Sequence, residues 1–131
     1  MTASRARNNP WGWRTQRSAD IIGSAALNCL DGTKRIHLLG IGGIGVSAVA
    51  RVLAQRGYEV TGSDVRESQL TQMMRGLGAT VNIGHRPENL DGAELVVVST
   101  AIPDDNIELM EARRRGLPVV HRSNVLGDLI E

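Results

Sequence analysis

Ile36-His37-Leu38-Leu39-Gly40-Ile41-Gly42-Gly43-Ile44-Gly45 is the stretch on which the fold turns. A short run of largely apolar residues enters glycines spaced G-x-G-x-x-G, and residues 44–56 behind them carry apolar side chains at helical spacing until Gly57. A buried strand, a glycine turn and a helix in that order read as the start of a crossover unit. In such a unit Gly40 permits the tight turn, Gly42 lets a phosphate approach bare backbone, and Gly45 lets the helix pack closely on the strand. The N–H groups of the first helical turn, at Gly43, Ile44 and Gly45, then face a diphosphate, aided by the positive end of the helix dipole. A tight strand-to-helix bend needs glycine even without a ligand, so the motif alone leaves both readings standing.

Working outward, the alternation repeats. Residues 58–62 read as a strand, 68–76 as a helix, 80–83 as a short strand and 95–99 as a strand apolar on both faces. Residues 105–115 read as a helix stopped by Gly116, 118–121 as a fifth strand, and a last helix starts near Ser123. Strands separated by helices, with no hairpin dipeptide between them, predict right-handed crossovers and a parallel sheet covered on both faces. The expected fold is α/β, a Rossmann-like parallel sheet of about five strands.

Residues 1–33 obey no such rhythm. Arg5, Arg7, Arg14 and Arg17 precede the first acidic residue, Asp20, and a short helix over 18–30 ends at Asp31-Gly32. The segment faintly imitates a targeting peptide, but its apolar part is short and no small-x-small cleavage site follows. It is read as an N-terminal extension, partly disordered or loosely helical, with the domain proper over 34–131.

Composition narrows the rest. The 131 residues suit one domain, and with no Phe and 2% aromatics the core must be aliphatic. A net charge of +1 implies no broad field for nucleic acid or membrane, and the apolar stretch 36–50 is too glycine-broken and short to span a bilayer. One cysteine, Cys29, rules out an internal disulfide and fits a cytoplasmic location.

Few side chains outside the glycine turn carry chemistry. Asp64 lies 19 residues after Gly45, where an acid hydrogen-bonds ribose hydroxyls or simply caps the next helix, with Ser63 beside it as a second donor. Ser99-Thr100-Ala101-Ile102 follows the fourth strand, where ligands of open parallel sheets bind, and reads equally as a polar loop. His85 reads as a loop or cap residue, and His37 and His121 as satisfied core or edge histidines. No nucleophile–base pair, carboxylate pair or metal-ligand spacing can be argued, so neither catalytic nor metal residues are expected.

Together these segments resemble the Mur ligase family of peptidoglycan synthesis. The likeness rests on 36–45, Val60-Thr61-Gly62-Ser63-Asp64, Gly84-His85-Arg86-Pro87-Glu88-Asn89-Leu90, 97–102 and Pro118-Val119-Val120-His121-Arg122, all in order. It departs at Val46, where the family typically has Met. The resemblance implies an N-terminal domain that binds UDP-N-acetylmuramate, with His85, the 99–102 segment and Arg122 joining Ser63, Asp64 and the glycine turn at the ligand. It also implies ATP and Mg2+ in a further domain of the full-length enzyme, and L-alanine in the branch whose pattern fits best. No G-x-x-G-K-T/S loop occurs here and Lys34 is the only lysine, so ATP-binding and C-terminal domains are expected to lie outside this sequence and the fragment alone to be inactive. The competing readings are an NAD(P)-binding domain of an oxidoreductase, on the glycine motif plus Asp64, and a non-catalytic Rossmann-type module.

Overall fold

Aliphatic runs buried on both faces form the strands at 35–39 and 95–98, and amphipathic stretches form the covering helices. A computed structural model describes residue 30 and residues 32–130. The expected helix over 18–30 and the rest of the N-terminal extension lie outside the described residues, apart from Leu30, Gly32 and Thr33.

β1 (Arg35–Leu39) leads to α1 (Ile44–Gln55), β2 (Glu59–Asp64), α2 (Gln69–Gly76), β3 (Thr80–Ile83) and a 3-10 turn (Pro87–Leu90). β4 (Leu95–Val98), α3 (Ile107–Arg114), β5 (Val119–His121) and α4 (Arg122–Ile130) follow. Every strand pairing is parallel and the order across the sheet is β3-β2-β1-β4-β5. This is the Rossmann-like α/β sheet expected, with strand order reversing between β1 and β4.

Helices cover both faces. Ile36, Leu38, Leu95 and Val97 pack with Val46, Val49 and Leu53 of α1, Met74 of α2 and Val125 of α4. Leu39 and Val96 join Leu90, Leu109 and Ala112 on the α3 face. Alternation along each strand divides the two cores.

Element ends moved for identifiable reasons. α3 starts at Ile107, not 105, because Asn106 Oδ1 accepts from the N–H groups of Glu108 and Leu109 and so caps the helix there. Ser68 and Thr71 form a reciprocal capping box that sets the start of α2. β2 runs on to Asp64, past the expected end at Gly62, because its pairing with β3 continues through Asp64 opposite Ile83. The 3-10 turn was not anticipated. Pro87 opens it and the fully buried Leu90 anchors it to the α3 core.

Candidate functional site

A parallel sheet sends every strand's carboxyl end to one edge, and that edge gathers the sequence candidates. Gly40 to Gly45 follow β1, Ser63 and Asp64 close β2, and His85 follows β3. Ser99, Thr100, Ala101 and Ile102 follow β4, and Arg122 opens α4 after β5.

The glycine turn is braced from β2. Gly40, at φ +72, takes the left-handed conformation that glycine tolerates without strain. The N–H groups of Gly40 and Ile41 both donate to the Ser63 carbonyl, at 2.8 and 3.0 Å, and Gly43 N–H returns to the Gly40 carbonyl at 2.9 Å. The first bond of α1 runs from Ser47 N–H to the Gly43 carbonyl. Ile44, Gly45 and Val46 therefore present N–H groups with no protein acceptor among the described residues. Gly43 at the N-cap brings no side chain, and the first turn holds no acid. Ile44 beside it is 84% exposed.

Two glycines do something other than the motif suggests. A Cβ on Gly42 would lie 2.8 Å from Asp64 Oδ2 and 3.0 Å from Thr71 Cγ2, so its bareness lets the β2–α2 connection close on the turn. A Cβ on Gly45 would lie 2.7 Å from Arg122 Nε and 2.8 Å from its Cζ. Gly45 thus makes room for an arginine rather than for a strand. The Arg122 guanidinium rests over the first turn of α1 with no hydrogen bond or ion pair among the described residues.

The β2 candidates are internally committed. Asp64 Oδ2 accepts from Gly42 N–H at 2.8 Å and Oδ1 from Val65 N–H at 2.7 Å, while the cap of α2 is Ser68. Ser63, expected to offer a second donor, is fully buried, and its hydroxyl donates to Glu108 Oε1 at 2.7 Å. Burial leaves its carbonyl, not its hydroxyl, to serve the turn. In the β4 loop, Ser99 Oγ accepts from Ala101 N–H at 3.3 Å. Ile102 Cδ1 lies 3.3 Å from where a Gly40 Cβ would stand, joining this loop to the glycine turn. Thr100 and Ala101 are exposed.

Sequence reasoning missed Glu108, because a single acid in a charged helix looks solvated. It is fully buried at the start of α3. Its Oε1 accepts from His37 Nε2 and Ser63 Oγ, both at 2.7 Å. Its Oε2 accepts from Asn89 Nδ2 at 2.7 Å, Arg86 N–H at 3.0 Å and His85 Nδ1 at 3.3 Å. Burial pushes this carboxyl up, but hydrogen bonds from His37, Asn89 and Ser63 outweigh it and hold the group at about 2. His37 is the satisfied core histidine expected, its Nδ1 lying 2.7 Å from Thr61 Oγ1. His121 is not. Its Nδ1 accepts from Ser123 N–H, while its buried Nε2 has no partner. Among the described residues no group of three His, Cys, Asp or Glu side chains converges on a metal-sized site.

A glycine turn braced by its neighbour strand, an uncapped helix start and an arginine laid over it define a Rossmann-like domain that presents cationic and N–H groups at one edge. The Mur ligase family model, described as its catalytic domain, matches residues 35–131, and the chain belongs to that family. The UDP-N-acetylmuramate–L-alanine ligase of Pelotomaculum thermopropionicum is 50% identical over 101 residues, covering 77% of this chain and 22% of that protein. The solved UDP-N-acetylmuramate-alanine ligase of Thermotoga maritima superposes with a TM-score of 0.70 at 36% identity, over 73% of this chain and 22% of that one. A murein peptide ligase of Psychrobacter arcticus gives 0.69 at 26% identity, over 72% and 20%. The chain therefore spans about a fifth of the length of the relatives it matches.

Proposed function

We propose that residues 34–131 form the UDP-N-acetylmuramate-binding domain of an ATP-dependent ligase that joins L-alanine to that sugar's carboxylate in peptidoglycan synthesis. The observation that carries the reading is the start of α1. Three N–H groups without acceptors, a helix dipole and the Arg122 guanidinium converge where a diphosphate would lie. Two of the three similar proteins are named for this sugar and for alanine, which makes a uridine diphosphate ligand the favoured case. The reading carries a cytoplasmic location with it, and among the described residues no helix is long and apolar enough to cross a membrane.

In this account the turn and Arg122 bind and orient the diphosphate, and the β3 and β4 loops flank the nucleoside. ATP and Mg2+ would supply phosphoryl activation of the muramyl carboxylate. The described residues do not fit them, having no phosphate loop and no cluster of acids, and Lys34 stands at the opposite, amino edge of β1. The NAD(P) reading rests on the same glycine turn and on Asp64, whose oxygens each accept one backbone N–H and keep a lone pair for a ribose hydroxyl, so relative affinity decides between the two ligands.

Titration calorimetry is expected to show UDP-N-acetylmuramate binding weakly and NAD more weakly or not at all. A clear preference for NAD reverses the assignment. Gly45→Ala provides a sharper check. A methyl group there displaces the flexible end of Arg122 while improving helix propensity by up to about 1 kcal/mol. The variant should melt no lower than the parent yet bind the UDP-sugar several-fold less tightly. Unchanged affinity would remove Arg122 from the ligand.

A further inference from the structure

The hydrogen bonds around Glu108 fix the place of one proton on the His85 ring. The Ser63 hydroxyl has one hydrogen, and it goes to Glu108 Oε1. Ser63 Oγ lies 2.9 Å from His85 Nδ1, so in that contact the serine oxygen must accept and the ring nitrogen must donate. The same Nδ1–H is shared with Glu108 Oε2 at 3.3 Å, and an ionised carboxylate can only accept. Both neighbours of Nδ1 therefore demand a donor. The tautomer follows from the carboxylate, through the serine that the carboxylate orients.

Glu108 is held to this task from four sides. His37, Asn89, Ser63 and the Arg86 N–H leave its oxygens no freedom to turn, and Asn89 also donates to the Gly84 carbonyl at 3.0 Å. That last bond pins the loop on which His85 stands. The His85 side chain keeps 14% of its surface exposed at the ligand edge, whereas Glu108 has none.

We propose that Glu108 is a positioning residue for ligand recognition: through Ser63 and its own Oε2 it locks His85 with the proton on Nδ1, so that Nε2 faces the ligand as a hydrogen-bond acceptor. The group it takes is an O–H or N–H of the bound molecule, not a phosphate oxygen, which would need a donor. The proposal rests on the ligand reading given above, because only a molecule bound at this edge would meet Nε2.

Nitrogen-15 NMR of the whole chain, at about pH 8 where imidazoles are neutral in water, reads the tautomer without any ligand. The expected His85 pattern is a protonated Nδ1 and an unprotonated Nε2. The reverse pattern overturns the proposal. In Glu108→Gln the amide presents an N–H2 toward one set of donors, and the His85 proton is expected to move to Nε2 in the folded variant. A folded variant with the parent pattern overturns it too. His85→Asn supplies a second arm that does not disturb Glu108. Its amide can still donate to Ser63 and Glu108 but has nothing in the place of Nε2. Affinity for UDP-N-acetylmuramate by calorimetry should fall about tenfold, one ordinary hydrogen bond's worth, with melting unchanged. Parent-like affinity in His85→Asn sinks the acceptor role whether or not Glu108→Gln folds. A parent chain that binds neither UDP nor UDP-N-acetylmuramate overturns the ligand reading instead, a failure that the NMR pattern keeps separate.

Discussion

Glu108→Ala is expected to lose about 4 kcal/mol of unfolding free energy, within the range for removing one partner of a buried charged network. Truncation leaves His37 Nε2, Ser63 Oγ and Asn89 Nδ2 with a common acceptor gone, and two of those three residues are fully buried. Each orphaned donor costs its own desolvation. The parent chain carries a related sensitivity to acid. The carboxyl sits near 4.5 when exposed and at about 2 in the fold. A group whose folded value is depressed contributes fully above its unfolded value and loses that contribution as pH falls through the folded one. Stability on the order of 3 kcal/mol should therefore drain away between about pH 5 and pH 2. Urea titrations at stepped pH would reveal it, and in Glu108→Gln this acid limb should flatten. Parallel acid limbs in parent and variant would mean that other carboxylates set the response.

Gly62→Val should also be strongly damaging, at about 3 kcal/mol, and on propensity alone its sign would be the opposite. Valine is a better strand former than glycine. Yet a Cβ on Gly62 would lie 2.5 Å from Ile41 Cδ1, 2.7 Å from Ile41 Cβ and 2.9 Å from the Leu38 carbonyl. Ile41 is fully buried under the strand and cannot swing clear, so the overpacking reaches backbone. Gly76→Ala makes the control, since it stands in α2 with nothing within 4 Å of an added Cβ and should be neutral or slightly stabilising. Chemical denaturation of the two variants settles the matter. A Gly62→Val chain as stable as Gly76→Ala would mean that β2 does not pass so closely over the turn.

Those two residues also mark how far the sequence could be read. Periods of two and of three to four are written locally, so the five strands and the helices between them were legible in order, as was the G-x-G-x-x-G turn. End positions depended on side-chain caps such as Asn106, whose bonds are made only once the helix exists. Gly40 was understood from its turn, but Gly42, Gly45 and Gly62 face partners brought by other segments, and no spacing rule names Asp64, Arg122 or Ile41 as those partners. Glu108 was the least legible. It is one acid among Glu111, Arg113, Arg114 and Arg115, and only the distant His37, Ser63 and His85 give it a buried role.

Those separations have a consequence for time as well as for energy. β1, α1, β2, α2 and β3 are consecutive in the chain and adjacent in the sheet, so that half can assemble through short loop closures. Glu108 reaches His37 across 71 residues and Ser63 across 45, which requires the second half to have crossed over and docked. Contacts that close such long loops form late, because the chain entropy must be lost before they return anything. Late contacts act on the unfolding barrier more than on the folding rate. The carboxylate that aims His85 is by the same placement a latch on the whole sheet, slowing its opening once the second half has arrived.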